Sequence, residues 1–182
     1  MRVITGTARG RVLRTLEGED VRPTTDRVKE AVFSIIQFEI EGRRVLDLFA
    51  GSGQLGIEAL SRGAASATFV DMSKDSLSVV KYNLEHTKLG DNAKVVQTDA
   101  LSFLKLTKDK FDIVFLDPPY ASSLVVDSMK LLSDVVAAGG CAICETPVES
   151  ELPESFGELK FYRSYRYGKI KITVYRKEGE DE

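Results

Sequence analysis

The sequence predicts an α/β domain, a mostly parallel sheet with helices on both faces, behind a small N-terminal β-hairpin extension. Three observations carry this. Short apolar runs alternate with amphipathic stretches through the middle of the chain. Several runs are nearly continuous in Val, Ile, Leu and Phe, as in FDIVFLD at 111–117, the pattern of strands buried on both faces. The stretch 158–176 reads instead as an antiparallel hairpin joined at Tyr167-Gly168, which closes the sheet.

Residues 1–16, MRVITGTARGRVLRTL, predict two short strands around Gly6 and Gly10, and EGEDVRP is a connector. Over 24–40, Val28, Ala31, Val32, Ile35, Ile36 and Ile40 recur at helical spacing. Residues 44–49 (RVLDLF) form a buried strand, and 51–56 a glycine-rich turn into the helix IEALSRG, which Gly63 ends. Residues 66–71 are a strand, and Ser73 caps a helix reaching about Thr87. A strand at 94–98, a short helix at 100–107 and the strand at 111–117 follow. The pattern then predicts a helix over 122–137, a strand over 140–146, and hairpin strands over 158–166 and 169–176. No internal repeat or low-complexity linker divides the chain.

The 182 residues are 43% apolar and 29% charged, as in a globular domain with a full core. No apolar run reaches the roughly 18–20 residues of a membrane span. No apolar segment follows the N-terminal arginines, so no secretory signal is read and a cytoplasmic location is expected. Cys141 and Cys144 lie in GGCAICET, a buried strand. With one His in the chain they read as small buried hydrophobes, and no metal is expected.

The net charge of −3 argues against a nucleic-acid partner, but its distribution argues for one. The first 14 residues hold four Arg and no acid. Residues 159–177 hold seven Lys or Arg, five aromatics and no acid, whereas EGEDE at the C-terminus holds four acids. Local patches govern binding more than the total does.

Two loops carry the chemistry. Asp47-Leu-Phe-Ala-Gly51-Ser-Gly53-Gln-Leu-Gly56 follows a strand and opens a helix, so its glycines admit close approach of a ligand. GSGQLG formally matches the dinucleotide fingerprint, a weak signal alone. Asp47 sits badly beside a pyrophosphate and well beside the ammonium of S-adenosylmethionine; its plainer role is to cap the loop. Asp71, 20 residues after Gly51, suits two ribose hydroxyls or a helix cap. Asp99 suits an adenine amine, and equally a cap. Phe49, Met72 and Ala100 flank these positions and are grouped with Asp47, Gly51, Gly53, Asp71 and Asp99 as cofactor-binding candidates.

Asp117-Pro118-Pro119-Tyr120 ends the fourth strand of the parallel series and is the most specific feature. The exocyclic amine of a base is a weak nucleophile because its lone pair is delocalised into the ring. The Asp117 carboxylate and the Pro118 carbonyl can accept both amine hydrogens, Pro119 stiffens the loop, and Tyr120 can stack on the base. A bare Pro-rich turn is the plainer alternative.

DLFAGSGQLGIEAL together with FLDPPY resembles class I methyltransferases acting on exocyclic amines. MRVITGTARGRVL followed by VRPTTDRVKEAVFSII is similar to the RsmD family of bacterial 16S rRNA guanine-N2 methyltransferases. The resemblance spans nearly the whole chain. It implies a Rossmann-like, seven-stranded sheet, S-adenosylmethionine as donor, and a guanine of 16S rRNA in an assembled or partly assembled small subunit as target. It divides the chain into a basic, RNA-contacting extension over 1–20 and a methyltransferase domain over 21–182. It also gives Arg9, Arg11, Arg14, Arg22 and Arg27 a role in RNA binding, against the alternative of ordinary solvated arginines. A monomer is expected.

Competing readings are an adenine-N6 methyltransferase on RNA or DNA, a protein glutamine methyltransferase, a nicotinamide oxidoreductase, and a non-catalytic RNA-binding module of the same fold. His86, late in a helix, is assigned no chemistry. The tyrosines at 162, 165, 167 and 175 read as packing or as base-stacking groups.

Overall fold

The computed structural model describes residues 1–17, 25–118 and 122–180. Its elements are α1 (Asp26–Ile35), β1 (Arg44–Asp47), α2 (Gln54–Ser61), β2 (Ser66–Asp71), α3 (Lys74–Thr87), β3 (Ala93–Gln97), α4 (Ala100–Leu106), β4 (Phe111–Leu116), α5 (Ser122–Leu132), β5 (Val136–Pro147), β6 (Ser155–Phe156), β7 (Leu159–Tyr167) and β8 (Ile170–Lys177). They build one sheet in the order β3-β2-β1-β4-β5-β8-β7-β6. The first five strands in that order are parallel; β8, β7 and β6 are antiparallel additions.

The sheet thus has eight strands where seven were expected. The extra one, β6, is two residues long, too short to show a period, and is held by Phe156 against the Tyr175 ring at 5.4 Å. The helix predicted over 122–137 stops at Leu132, and 136–137 belong to β5. Two physical reasons apply. The Val135 N–H turns back to the Leu132 carbonyl at 2.9 Å. Gly139, at φ +79°, and Gly140 then accommodate a bulge, in which Phe111 pairs with Val136 but Ile113 with Cys141.

Each face of the sheet packs its own core. Val45, Ile113, Ile143 and Ile172 join Val32, Phe33 and Ile57 on the face of α1, α2 and α3. Leu46, Val114, Ala142 and Tyr175 join Phe103, Val125 and Met129 on the face of α4 and α5. The split between neighbours Val45 and Leu46 is strand alternation at work. Cys141 and Cys144 face opposite cores as free thiols, both pushed up to about 12 by burial.

The N-terminal segment is a hairpin with a single bridge, Arg2 to Val12, rather than two strands. It does not stand apart, because Val3, Ala8 and Leu13 are buried in the α1–α3 core. Its turn lies on the last residue of α2. The Thr7 N–H donates to the Ser61 carbonyl (2.9 Å), the Ala8 N–H to Ser61 Oγ (3.0 Å), and Ser61 Oγ to the Thr5 carbonyl (2.7 Å). Gly6, at φ +91°, allows this approach; a Cβ there would lie 1.8 Å from the Ser61 carbonyl oxygen.

Glu58, fully buried, accepts the Ile4 N–H at 2.8 Å and pairs with Arg62 at 3.8 Å. Buried Lys29 donates to the Arg2 carbonyl at 2.7 Å. Burial lowers its pKa, and the charges of Glu58 and Asp26 oppose that shift.

Candidate functional site

Parallel pairing aligns the carboxyl ends of β1, β2 and β4. Asp47 lies opposite Phe69 and Phe115, and Asp71 opposite Gln97. Asp47, Asp71, Asp99 and Asp117 therefore end or follow four successive strands on one edge of the sheet, where ligands of open α/β sheets bind.

Asp47 is 2% exposed, and its Oδ2 accepts the Gly56 N–H at 3.0 Å. Loop capping is thus one of its roles. Burial raises its pKa to about 7 against that hydrogen bond, and the charge of Asp71 adds to the rise. Asp71, half-buried, accepts the Gly51 N–H on Oδ2 (3.0 Å) and the Ser73 N–H on Oδ1 (2.8 Å), tying the glycine loop to the entry of α3.

Gly51 and Gly53 take φ +56° and +81°. A Cβ on Gly53 would approach Val80 and Phe69 to 3.2–3.3 Å, so the loop is drawn tightly over α3. Gly56 is tighter still, with its Cβ position 2.4 Å from the Phe69 ring.

Asp99 is exposed and caps α4 through the Ser102 N–H at 2.9 Å; hydrogen bonds from the Ser102 hydroxyl and N–H hold its carboxyl below the usual range. Phe49 is half-buried against the α4–α5 core, Ala100 packs into it, and Met72 is 72% exposed. Asp117 and Pro118 are half-buried at the end of β4. Pro119, Tyr120 and Arg22 lie outside the described residues.

The described arginines fall in three separate places. Arg9 and Arg11 are exposed in the turn over the end of α2 remote from the glycine loop. Arg27 is exposed in the first turn of α1. The Arg14 guanidinium stacks 3.6 Å over Tyr82, whose ring stacks on His86 at 5.8 Å. A groove of about 490 Å³ lined by Lys81, Lys88 and Asp91 opens at the start of β3, away from the carboxylate edge.

One residue of the site escapes sequence reasoning. Buried Asn83 donates from Nδ2 to the Ser52 carbonyl (2.9 Å) and the Arg14 carbonyl (2.9 Å), and accepts the Arg14 N–H on Oδ1 (2.8 Å). It bolts the N-terminal segment to the glycine loop. Its partners are 69 and 31 residues away, so no local pattern signals it.

A cationic cofactor fits this edge. A buried carboxylate of raised pKa beside a second carboxylate favours a positive ligand over a pyrophosphate. Among the described residues, no three His, Cys, Asp or Glu are grouped as a metal ion requires. Among them, too, no helix is long and apolar enough to cross a membrane.

The family model described as "Conserved hypothetical protein 95" matches residues 1–176. "Putative rRNA methyltransferase YlbH" of Bacillus subtilis (strain 168) is 40% identical, over 98% of this chain and 100% of its own. "Ribosomal RNA small subunit methyltransferase D" of Escherichia coli (strain K12) is 38% identical, over 100% of this chain and 92% of its own. The solved structure of "Putative methyltransferase yhhF from Escherichia coli" covers 99% of each chain at 36% identity, with a TM-score of 0.89. With alignment nearly end to end in sequence and in structure, the chain belongs to the conserved hypothetical protein 95 family, the rRNA methyltransferase D group that its motifs resemble.

Proposed function

We propose that this protein transfers the methyl group of S-adenosylmethionine to the exocyclic N2 amine of a guanine in 16S rRNA. Its substrate is an assembled or partly assembled small subunit, and it acts as a monomer in the cytoplasm. The observation that carries this is the adjacency of β1 and β4, which sets the raised-pKa Asp47 and its glycine loop beside Asp117 and Pro118.

S-adenosylmethionine, when bound, supplies an electrophilic methyl group on a sulfonium. The chain's own residues do the rest. Asp47 meets the ammonium of the methionine part, Asp71 the ribose hydroxyls and Asp99 the adenine amine. Phe49, Met72 and Ala100 border the cofactor, and Gly51 and Gly53 leave room for it. The Asp117 carboxylate and the Pro118 carbonyl accept the two amine hydrogens, which localises the nitrogen lone pair and aims it. Pro119 stiffens the loop, and Tyr120 stacks on the base. The target base leaves its stack to enter. Arg9, Arg11, Arg14, Arg22 and Arg27 hold RNA phosphates, with the N-terminal segment as the contact unit.

The test is transfer of labelled methyl to unmodified small subunits and to free 16S RNA, followed by digestion to nucleosides. Label in N2-methylguanosine is expected. Label in N6-methyladenosine would overturn the base assignment, and no label despite cofactor binding would overturn the reaction.

Asp47 gives cofactor binding a pH dependence. Its folded pKa lies above its unfolded value, so it binds a proton in the folded state across roughly pH 4–7, and the free protein loses stability as pH rises through that window. A cationic ligand favours the ionised form and displaces the proton. Affinity for S-adenosylmethionine is therefore expected to be about tenfold weaker at pH 6 than at pH 8. Calorimetry in buffers of different ionisation enthalpy reads the proton released. Asp47→Asn removes the dependence, and a flat profile in the unmutated protein counts against the ammonium contact.

A further inference from the structure

The β7–β8 hairpin divides its cations by position. At one end, Lys160, Arg176 and Lys177 are ion-paired, to Glu178 at 3.2 Å, Glu39 at 2.6 Å and Glu158 at 3.2 Å. At the other end, Arg166 and Lys169 are exposed, and no ion pair among the described residues involves them. The neighbouring loop holds Glu149 and Glu151, neither paired with the tip.

The unpaired end lies at the carboxylate edge. Leu116 of β4 pairs with Cys144 of β5, and Cys144 with Thr173 of β8. The ladder continues to Pro147 opposite Ile170 and Ile170 opposite Tyr167. The turn between Tyr167 and Ile170 thus stands on the same edge as Asp117, which follows Leu116. Neighbouring strands are about 4.8 Å apart, so β8 and β7 stand roughly 10–15 Å from β4.

The tip is also held in place. Tyr165, Tyr167 and Ile170 pack against the α1–α3 core. Gly168, at φ +61°, makes the tight two-residue turn that sets Lys169 at its apex. Lys171 Nζ donates to the Ser150 carbonyl and braces the adjoining loop. Two cations without an ion pair, on a braced tip that shares its edge with the strand-end carboxylates, match a polyanion whose reactive base reaches that edge while its backbone stays outside.

We propose that Arg166 and Lys169 form an RNA-phosphate clamp on the rim of the active site, gripping the backbone that flanks the target nucleotide. This rests on the RNA-methylating reading above. It assigns the hairpin tip a task in substrate binding and leaves the paired cations at the far end with a structural one.

The test uses the full chain and two charge-matched pairs of exposed residues. Arg166→Ala with Lys169→Ala removes the tip. Lys94→Ala with Lys160→Ala removes two cations at the opposite edge. Affinity for unmodified small subunits and for 16S RNA is measured across a salt titration, with S-adenosylmethionine affinity and melting temperature as controls. The tip pair is expected to bind RNA about tenfold more weakly. Its salt dependence should be shallower by about 1.4 in log–log slope, roughly 0.7 for each lost phosphate contact. Cofactor affinity and melting temperature should be unchanged, and the control pair should lose less than about half as much slope. Equal losses in both pairs, or an unchanged slope in the tip pair, overturn the clamp and leave the methylation reading intact. An unmutated protein that transfers methyl to neither RNA overturns the clamp together with the reading beneath it.

Discussion

Asp117→Ala is expected to lower turnover on the order of 10³-fold while leaving affinity for S-adenosylmethionine within about twofold of the unmutated protein. The asymmetry follows from placement. The carboxylates suited to the cofactor end or follow β1, β2 and β3, whereas Asp117 follows β4. Removing it takes one of two acceptors from the amine and nothing from the donor's binding groups. Asp117→Asn keeps one acceptor oxygen without the charge and should fall between. Single-turnover methyl transfer on saturated enzyme separates the chemistry from binding. Near-normal turnover in Asp117→Ala would refute the assignment of the loop.

Glu58→Ala should destabilise the protein by about 3–5 kcal/mol, a drop of roughly 10 °C in melting temperature. Glu58 is fully buried, and its loss strands the Ile4 N–H without its acceptor and the Arg62 guanidinium without its counter-charge. The damage should be local as well as global, because the carboxylate joins the N-terminal segment to α2. Trypsin is expected to cut the variant after Arg9, Arg11 or Arg14 well before it cuts the remainder. Glu58→Gln retains an acceptor and should lose less. A variant whose N-terminus stays protease-resistant would show that Ser61 and Asn83 hold the segment unaided.

What the sequence made legible, and what it did not, divides by range of interaction. Strand and helix identity from Arg44 to Leu116 follows from local apolar period, and the predicted strands and helices of that stretch are found within a residue or two at their ends, except that α2 opens at Gln54, three residues before the Ile57 where the pattern puts it. The turn at Gly51 to Gly53 was legible because glycine is the cheap residue for its positive-φ positions, whereas Gly56, read as the end of that turn, lies inside α2. The helix read over 24–40 stops at Ile35, where the chain turns and the Glu39 N–H donates to the Ile36 carbonyl at 2.9 Å. The other failures occur where distant chain decides. Val136 and Ala137 read as the end of a helix until β4 pairs with that segment, and β6 has too few residues for any period.

The candidate site divides the same way. Asp47, Asp71 and Asp117 announce themselves by following strands. Asn83 and Glu58 sit in ordinary helical surroundings and become meaningful only when the first 14 residues fold back onto α2 and α3. The basic N-terminus was legible as charge. Its attachment was not, and neither was the separation of Arg9 and Arg11 from the carboxylate edge.

The two cysteines give the protein a built-in clock. Both thiols lie in β5, in the middle of the sheet, with Cys144 Sγ 3.5 Å from Met129 Sδ, and burial leaves almost no thiolate on either. Alkylating reagents and oxidants act on the thiolate, so they must wait until β5 separates from β4 and β8. The two thiols ignore fraying of the N-terminal segment and report only rupture of the central ladder. Their rate of modification therefore measures how often the whole scaffold opens.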